Sequence, residues 1–262
     1  MSQPVSGGMR QRLSIALRPY FKPTRSGLTP APWRYVLMRP VPFELWFRLR
    51  AAWFLLRRRW GVASGADVAD GWPAEHRTRV VEHNFGQRWL FNRGRTEKLM
   101  NVLRSIGSVS PESRVLVIGP RNEAEILLLS LYGFRMRNIT GIDLLSYSPQ
   151  IQQMDMHAMR FPDNAFDIVY TLYTLPYAYD LPKACAEIVR VIRPGGFVAV
   201  GFQHTADSPK RLRAPGSELR GGIDELLGLF EPHVDHVYWQ ELDPTGASPD
   251  DYRATTIFRV RK

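Results

Sequence analysis

From Arg114 to the C-terminus, short apolar runs alternate with helical segments, and that alternation leaves few architectures open. RVLVIG (114–119), EAEILLLSLYG (123–133), NITGID (138–143), FDIVYTL (166–172), DLPKACAEIVRVI (180–192) and GGFVAVGF (195–202) follow one another. A helix near 217–230 and the strands DHVYWQEL (235–242) and ATTIFRVRK (254–262) complete the series. Strands separated by helices need crossover connections, so the expected fold is α/β, a mostly parallel sheet with helices on both faces. The 262 residues suffice for such a domain of about 150 to 200 residues with an extension. The boundaries expected are a basic arm over 1–34, a helical extension over 35–107 and the α/β domain over 108–262.

Charge separates the extension from the rest. Residues 1–60 hold 12 Lys and Arg, 11 of them Arg, against the single acid Glu44, whereas the remaining residues hold 23 basic and 24 acidic side chains. A basic bias confined to one end points to a polyanion, either a nucleic acid or the anionic face of a membrane. With 44% apolar and 23% charged residues, neither a disordered chain nor a multi-span membrane protein is indicated. The single cysteine, Cys185, excludes an intramolecular disulfide and a cysteine zinc site, and fits a reducing, cytoplasmic compartment. The start lacks the apolar run of a secretory signal, and the aromatic density beyond the arm argues against a transit peptide.

The stretch PFELWFRLRAAWFLLRRRW, 42–60, reads as a cationic amphipathic helix. At 100° per residue Leu45, Trp46, Leu49, Ala52, Trp53, Leu56 and Trp60 share one face, with Arg48, Arg50 and Arg57 to Arg59 outside it. Its longest apolar run is six residues, far below the roughly 20 needed to span a bilayer. Tryptophan and arginine suit the headgroup region, so the helix is expected to lie on the inner membrane face. Packing of the same face on the α/β domain or on a second copy, and phosphate contact with nucleic acid, stay open. A further helical region follows from about residue 73, with Thr96 as the expected N-cap of a helix ending at Gly107.

In an open α/β sheet, ligands sit outside the C-terminal ends of the strands. Four loops lie there. In GPRNEAE, 119–125, Gly119 permits a tight turn, the following helix offers free backbone N–H groups, and Arg121 can clamp a carboxylate. Asp143 ends a strand 24 residues later, where a carboxylate can accept from both hydroxyls of a ribose. Asp155 precedes Met156, an acid and an apolar residue able to read an adenine's amino group and pack on its ring. The fourth is the Arg193-Pro194-Gly195-Gly196 turn.

In that order the four loops resemble the class I S-adenosylmethionine-dependent methyltransferases, and in particular methyltransferase type 11. The likeness runs from about Ser113 to Gln203 and is carried by Asp143, Asp155-Met156, FPDNAFDIVY (161–170) and EIVRVIRPGG (187–196). The chain departs at the first loop, where Val117 replaces an acid and Arg121 and Glu123 replace glycines. The resemblance implies a Rossmann-like seven-stranded sheet with its last strand antiparallel, S-adenosylmethionine as cofactor, and methyl transfer. It implies cofactor contacts from Gly119, Pro120, Arg121, Glu123, Asp143, Leu144, Asp155, Met156 and Thr171. Arg121 is expected to grip the cofactor carboxylate and Glu123 to face its ammonium group.

Tyr173, Tyr177 and His204 follow the fourth and fifth strands and are the catalytic candidates; no metal-ligand spacing is present. The combination points to O-methylation of a small-molecule, glycan or lipid-linked acceptor at a membrane surface. An RNA methyltransferase using the basic arm, and a non-catalytic scaffold on the same fold, are the alternatives, and homo-oligomerisation stays open. The segment between His204 and Gly216 is expected to shape the acceptor pocket together with the arm and the helices before Gly107.

Overall fold

The computed structural model describes residues 34–57, 63–64, 71–204, 222–244 and 251–262. The arm over 1–33, Arg58 to Trp60, the helix expected to start at 217 up to residue 221, and the segment between His204 and Gly216 therefore lie outside the described residues.

Seven strands form one sheet: β2 (Val115–Ile118), β3 (Ile139–Asp143), β5 (Ile151–Gln153), β6 (Phe166–Leu172), β7 (Ile192–His204), β8 (Val234–Pro244) and β9 (Tyr252–Val260). Their spatial order is β5-β3-β2-β6-β7-β9-β8. All neighbours among the first five are parallel, while β9 runs antiparallel between β7 and β8. The four residues of β2 are all buried, as a strand covered on both faces requires. Val115 and Val117 enter the core on one face, Leu116 and Ile118 the core on the other.

The helices are α1 (Arg34–Leu37), α2 (Pro40–Arg57), α3 (Ala74–Gly86), α4 (Arg93–Ser105), α5 (Ala124–Leu131), α6 (Leu181–Val191) and α7 (Gly222–Gly228). Residues of α2, α4 and α5 share one core with the sheet; residues of α3, α6 and α7 share the other. Helix α6 shows the local logic: Asp180 caps it by accepting from the Lys183 backbone N–H at 3.0 Å, Pro182 sits in the first turn, and Leu181, Ala184, Cys185 and Ile188 are buried. Burial also pushes the Cys185 thiol up to about 12, so this sulfur is a packing group.

Three local expectations are corrected. Asn92, not Thr96, caps α4 by accepting from the Arg95 backbone N–H; Thr96 lies buried one turn inside the helix. Arg193 to Gly196 is not a free turn but a bulge within β7, where the register against β6 jumps from Phe166–Ile192 to Ile168–Phe197. Helix α2 starts at Pro40 rather than at residue 42 and buries Phe43, Phe47 and Ala51, so the alternative that packed the Leu45 and Leu49 stripe on the α/β domain is not what is observed. A short antiparallel pair, β1 (Ala63–Ser64) with β4 (Leu145–Ser146), ties the extension to the loop after β3.

From β2 the chain winds outward through β3 and β5, then returns to place β6 on the other side of β2. The crevice at this reversal lies at the C-terminal ends of β2, β3 and β6, where the direction of winding changes.

Candidate active site

A cavity of about 380 Å³ opens at that crevice. Its floor is made by strand ends and the loops after them: Ile118 to Arg121, Ile142 to Leu144, Met154, Met156, and Leu172 to Thr174. Val80, His83, Asn84 and Gln87, on or just after α3, and Arg95 and Thr96 from α4 also line it. The helical extension thus supplies a wall of the site.

The first loop solves its missing glycines by bending anyway. Gly119 has φ +69 and Arg121 φ +49, so a non-glycine residue occupies the left-handed region here. A Cβ on Gly119 would stand 2.3 Å from both Cγ2 and Oγ1 of Thr174, so only glycine fits against that side chain. Arg121 is held in place twice: its backbone N–H donates to Asp143 Oδ2 at 3.1 Å, and its guanidinium donates to Gln87 Oε1 at 2.7 Å.

Asp143 is buried and also accepts from the Leu145 backbone N–H at 3.1 Å and from Asn84 Nδ2 at 3.4 Å. Burial raises its carboxyl above the ordinary range, against the opposing effect of those donors and of the Arg121 charge. A carboxylate offers about four acceptor positions, so the three donors leave one free, and the long Asn84 contact is the easiest to exchange.

Glu125 lines the cavity from the first turn of α5. Enclosure by protein pushes its carboxyl up to about 8, eased by Arg121 and reinforced by the nearby Asp143 charge. It keeps part of its surface open at the cavity wall. His83 is shifted the other way: burial and the Arg121 charge lower its pKa, so the neutral ring, with one nitrogen free to accept a proton, is the resting form. Its ring stands 6.2 Å from that of Tyr177.

Of the residues singled out from sequence, Gly119, Pro120, Arg121, Asp143, Leu144, Met156, Tyr173 and Tyr177 line this cavity. Four others do not. Glu123 pairs with Arg50 of α2, at 2.8 Å to Nε, and accepts from the Ser148 hydroxyl, so its carboxylate serves an interhelical contact rather than a ligand's ammonium group. Asp155 accepts from the His157 backbone N–H at 2.9 Å and lies 2.6 Å from His157 Nδ1. Burial alone would raise the Asp155 carboxyl; these bonds hold it below the ordinary range, as part of a packed cluster with Trp72 and Tyr179 around His157. Thr171 is fully buried one residue before the lining Leu172. His204 stacks on Tyr252, its partner across the ladder, with ring centroids 5.4 Å apart; its neighbour Gln203 lines the cavity instead, because successive strand side chains point to opposite faces.

His83, Asn84, Gln87, Arg95 and Glu125 were missed. The first four sit on or beside polar helices whose sequence carries no turn signal. Glu125 had one, as an acid in the first turn after a strand, but Glu123 two residues earlier carried the same one. Among the described residues no cluster of His, Cys, Asp and Glu is suited to a metal ion.

The segment that builds this cavity matches known proteins. Residues 118–200 match the family model described as a methyltransferase domain. That stretch is a methyltransferase domain. A sterol 24-C-methyltransferase of Aspergillus fumigatus is 33% identical over 94 residues, 33% of this chain and 25% of that protein. A malonyl-[acyl-carrier protein] O-methyltransferase of Halorhodospira halophila is 40% identical over 78 residues, 30% of this chain and 24% of that protein. The chain thus spans about a quarter of the length of these relatives. The solved N-methyltransferase NodS of Bradyrhizobium japonicum, in complex with S-adenosyl-L-homocysteine, shares the fold: TM-score 0.52 at 16% identity, over 70% of this chain and 99% of that one. The Rossmann-like, seven-stranded methyltransferase fold expected from sequence is the fold observed.

Proposed function

We propose that the chain is an S-adenosylmethionine-dependent methyltransferase acting on an oxygen of a small-molecule, glycan or lipid-linked acceptor at a membrane surface. One observation carries the reading: the cavity at the winding reversal of a methyltransferase domain is lined by a buried carboxylate at the end of β3, a second carboxyl on α5, and apolar side chains. These residues fit the cofactor. Asp143 offers its free acceptor position to a ribose, Leu144, Met154 and Met156 can enclose an adenine, and Glu125 can face an ammonium group. Arg121, which lines the cavity and donates to Gln87, would hold a cofactor carboxylate. When bound, the cofactor supplies a methyl group on an activated sulfonium.

The protein's remaining task is to align the acceptor and take its proton. Alignment of the reacting atoms at about 3 to 3.5 Å accounts for much of such a rate. Tyr173 and Tyr177 line the cavity and would face the acceptor, and neutral His83 beside Tyr177 would accept a hydroxyl proton. Calorimetric titration with S-adenosyl-L-homocysteine tests the first half of the proposal. Saturable binding lost in Asp143→Ala supports it, and absence of heat from the unaltered chain contradicts it.

The membrane half rests on α2. Opposite its buried Phe43, Phe47 and Ala51 run Val41, Leu45, Leu49, Trp53 and Leu56, with exposures of 78%, 58%, 60%, 53% and 76%. They form an apolar stripe about 22 Å long at 1.5 Å per residue, flanked by exposed Arg39, Arg48 and Arg57. An apolar face bordered by cations fits an anionic bilayer surface. None of the described helices is long and apolar enough to cross a membrane. Replacing Leu45 and Leu49 by serine should abolish sedimentation with anionic vesicles and leave the melting temperature unchanged. Unaltered partitioning contradicts the assignment, and a dimer that the same changes dissolve would give the stripe to a second copy.

A further inference from the structure

Beside the main cavity lies a second one of about 250 Å³, and the two share Asn92, Arg95 and Tyr173. Arg95, Lys98 and Arg253 bring three cations to it, Glu241 and Asp243 two anions. Lys98 is neutralised by Glu241 at 2.6 Å, whereas Arg253 reaches Asp243 only at 3.8 Å. Among the described residues Arg95 has no carboxylate partner; its guanidinium lies 5.0 Å from the Tyr173 ring centroid. Burial and the neighbouring Arg253 charge both disfavour the charged form of Arg95, so two guanidinium groups face one space without a full complement of anions. Thr255 lines the same space, is buried, and its Oγ1 has no hydrogen-bond partner among the described residues. A buried hydroxyl without a partner is costly unless a ligand uses it. Tyr173, at the junction, is held at φ +58, a strained conformation for a tyrosine and one that functional sites retain.

We propose that this second cavity seats a single negative charge on the methyl acceptor, a carboxylate or a phosphodiester, gripped by Arg95 and Arg253 with Thr255 Oγ1 donating to it. The excess of one positive charge matches a monoanion, and guanidinium groups bind both kinds through paired N–H donors. The acceptor's uncharged part then passes Tyr173 into the main cavity, so the inference rests on the methyltransferase reading above.

Guanidinium NMR of the full chain, with Arg95 and Arg253 assigned through Arg95→Gln and Arg253→Gln, tests this with acetate and dimethyl phosphate as probes and sodium chloride at matched ionic strength as control. Saturable shifts of both arginine signals are expected, with affinity falling about tenfold in Arg253→Gln and several-fold in Thr255→Val. Stronger binding of acetate identifies a carboxylate acceptor, and stronger binding of dimethyl phosphate a phosphodiester. Shifts no larger than those with chloride, or equal affinity in Thr255→Val and Arg253→Gln chains that still bind S-adenosyl-L-homocysteine, overturn the anion seat alone. A chain that binds the probes but not S-adenosyl-L-homocysteine overturns the methyl-acceptor assignment through the reading beneath it.

Discussion

Gly119 and Glu125 set the site's chemistry residue by residue. Gly119→Ala places a methyl carbon 2.3 Å from Thr174 and strains a backbone at φ +69. The left-handed strain alone costs about 1 to 2 kcal/mol. A lower melting temperature and a loss of at least tenfold in S-adenosyl-L-homocysteine affinity are the expected results. Glu125 yields a pH prediction with a definite sign. Its folded pKa of about 8 stands above the ordinary 4.5, so the folded chain holds a proton that the unfolded chain releases. Its contribution to stability is therefore full below pH 4.5 and declines as pH rises toward 8. Urea unfolding at pH 5 and pH 8 should show this decline, and Glu125→Gln should flatten it. Binding of an ammonium-bearing ligand beside Glu125 should release a proton, read as a dependence of the calorimetric heat on the buffer's ionisation enthalpy.

Helix α2 both anchors the extension and carries the unpartnered apolar stripe. Phe47→Ala empties a fully buried position and should cost about 3 to 5 kcal/mol in chemical unfolding. Arg50→Ala leaves the Glu123 carboxylate buried without its cation, a loss of about 3 kcal/mol that Glu123→Gln in the same chain should partly restore. These effects also explain what could be read in advance. Six of the seven sheet strands were legible as segments rich in apolar or β-branched residues, and β2 is buried along its whole length; the three-residue β5, with Ile151 as its one apolar side chain, carried no such run. The buried face of α2 was not, because Phe43, Phe47 and Ala51 oppose a second apolar stripe, and periodicity alone does not say which side meets the core. The same limit applied at Glu123 and Glu125. Two positions apart on a helix they differ by about 200°, and only the partner Arg50, distant in sequence, decides which turns inward. His204 and Gln203 were separated by the pleat of β7 in the same way.

Across the whole molecule, a methyltransferase domain is completed by helices that precede it. Sheet and loops supply Asp143 and the bent Gly119–Arg121 turn, α5 supplies Glu125, α3 and α4 add His83, Asn84 and Arg95, and α2 holds the first loop through Glu123. The side of the molecule bearing the Leu45–Leu49 stripe is thereby linked, through Arg50, to the turn beneath the cavity. The most direct measurement is a crystal structure of the chain with S-adenosyl-L-homocysteine. The ribose hydroxyls should lie within about 3 Å of Asp143, with the amino group facing Glu125. A ligand bound elsewhere, or a cavity that stays closed to it at millimolar concentration, would contradict the assignment of this cavity as a cofactor site.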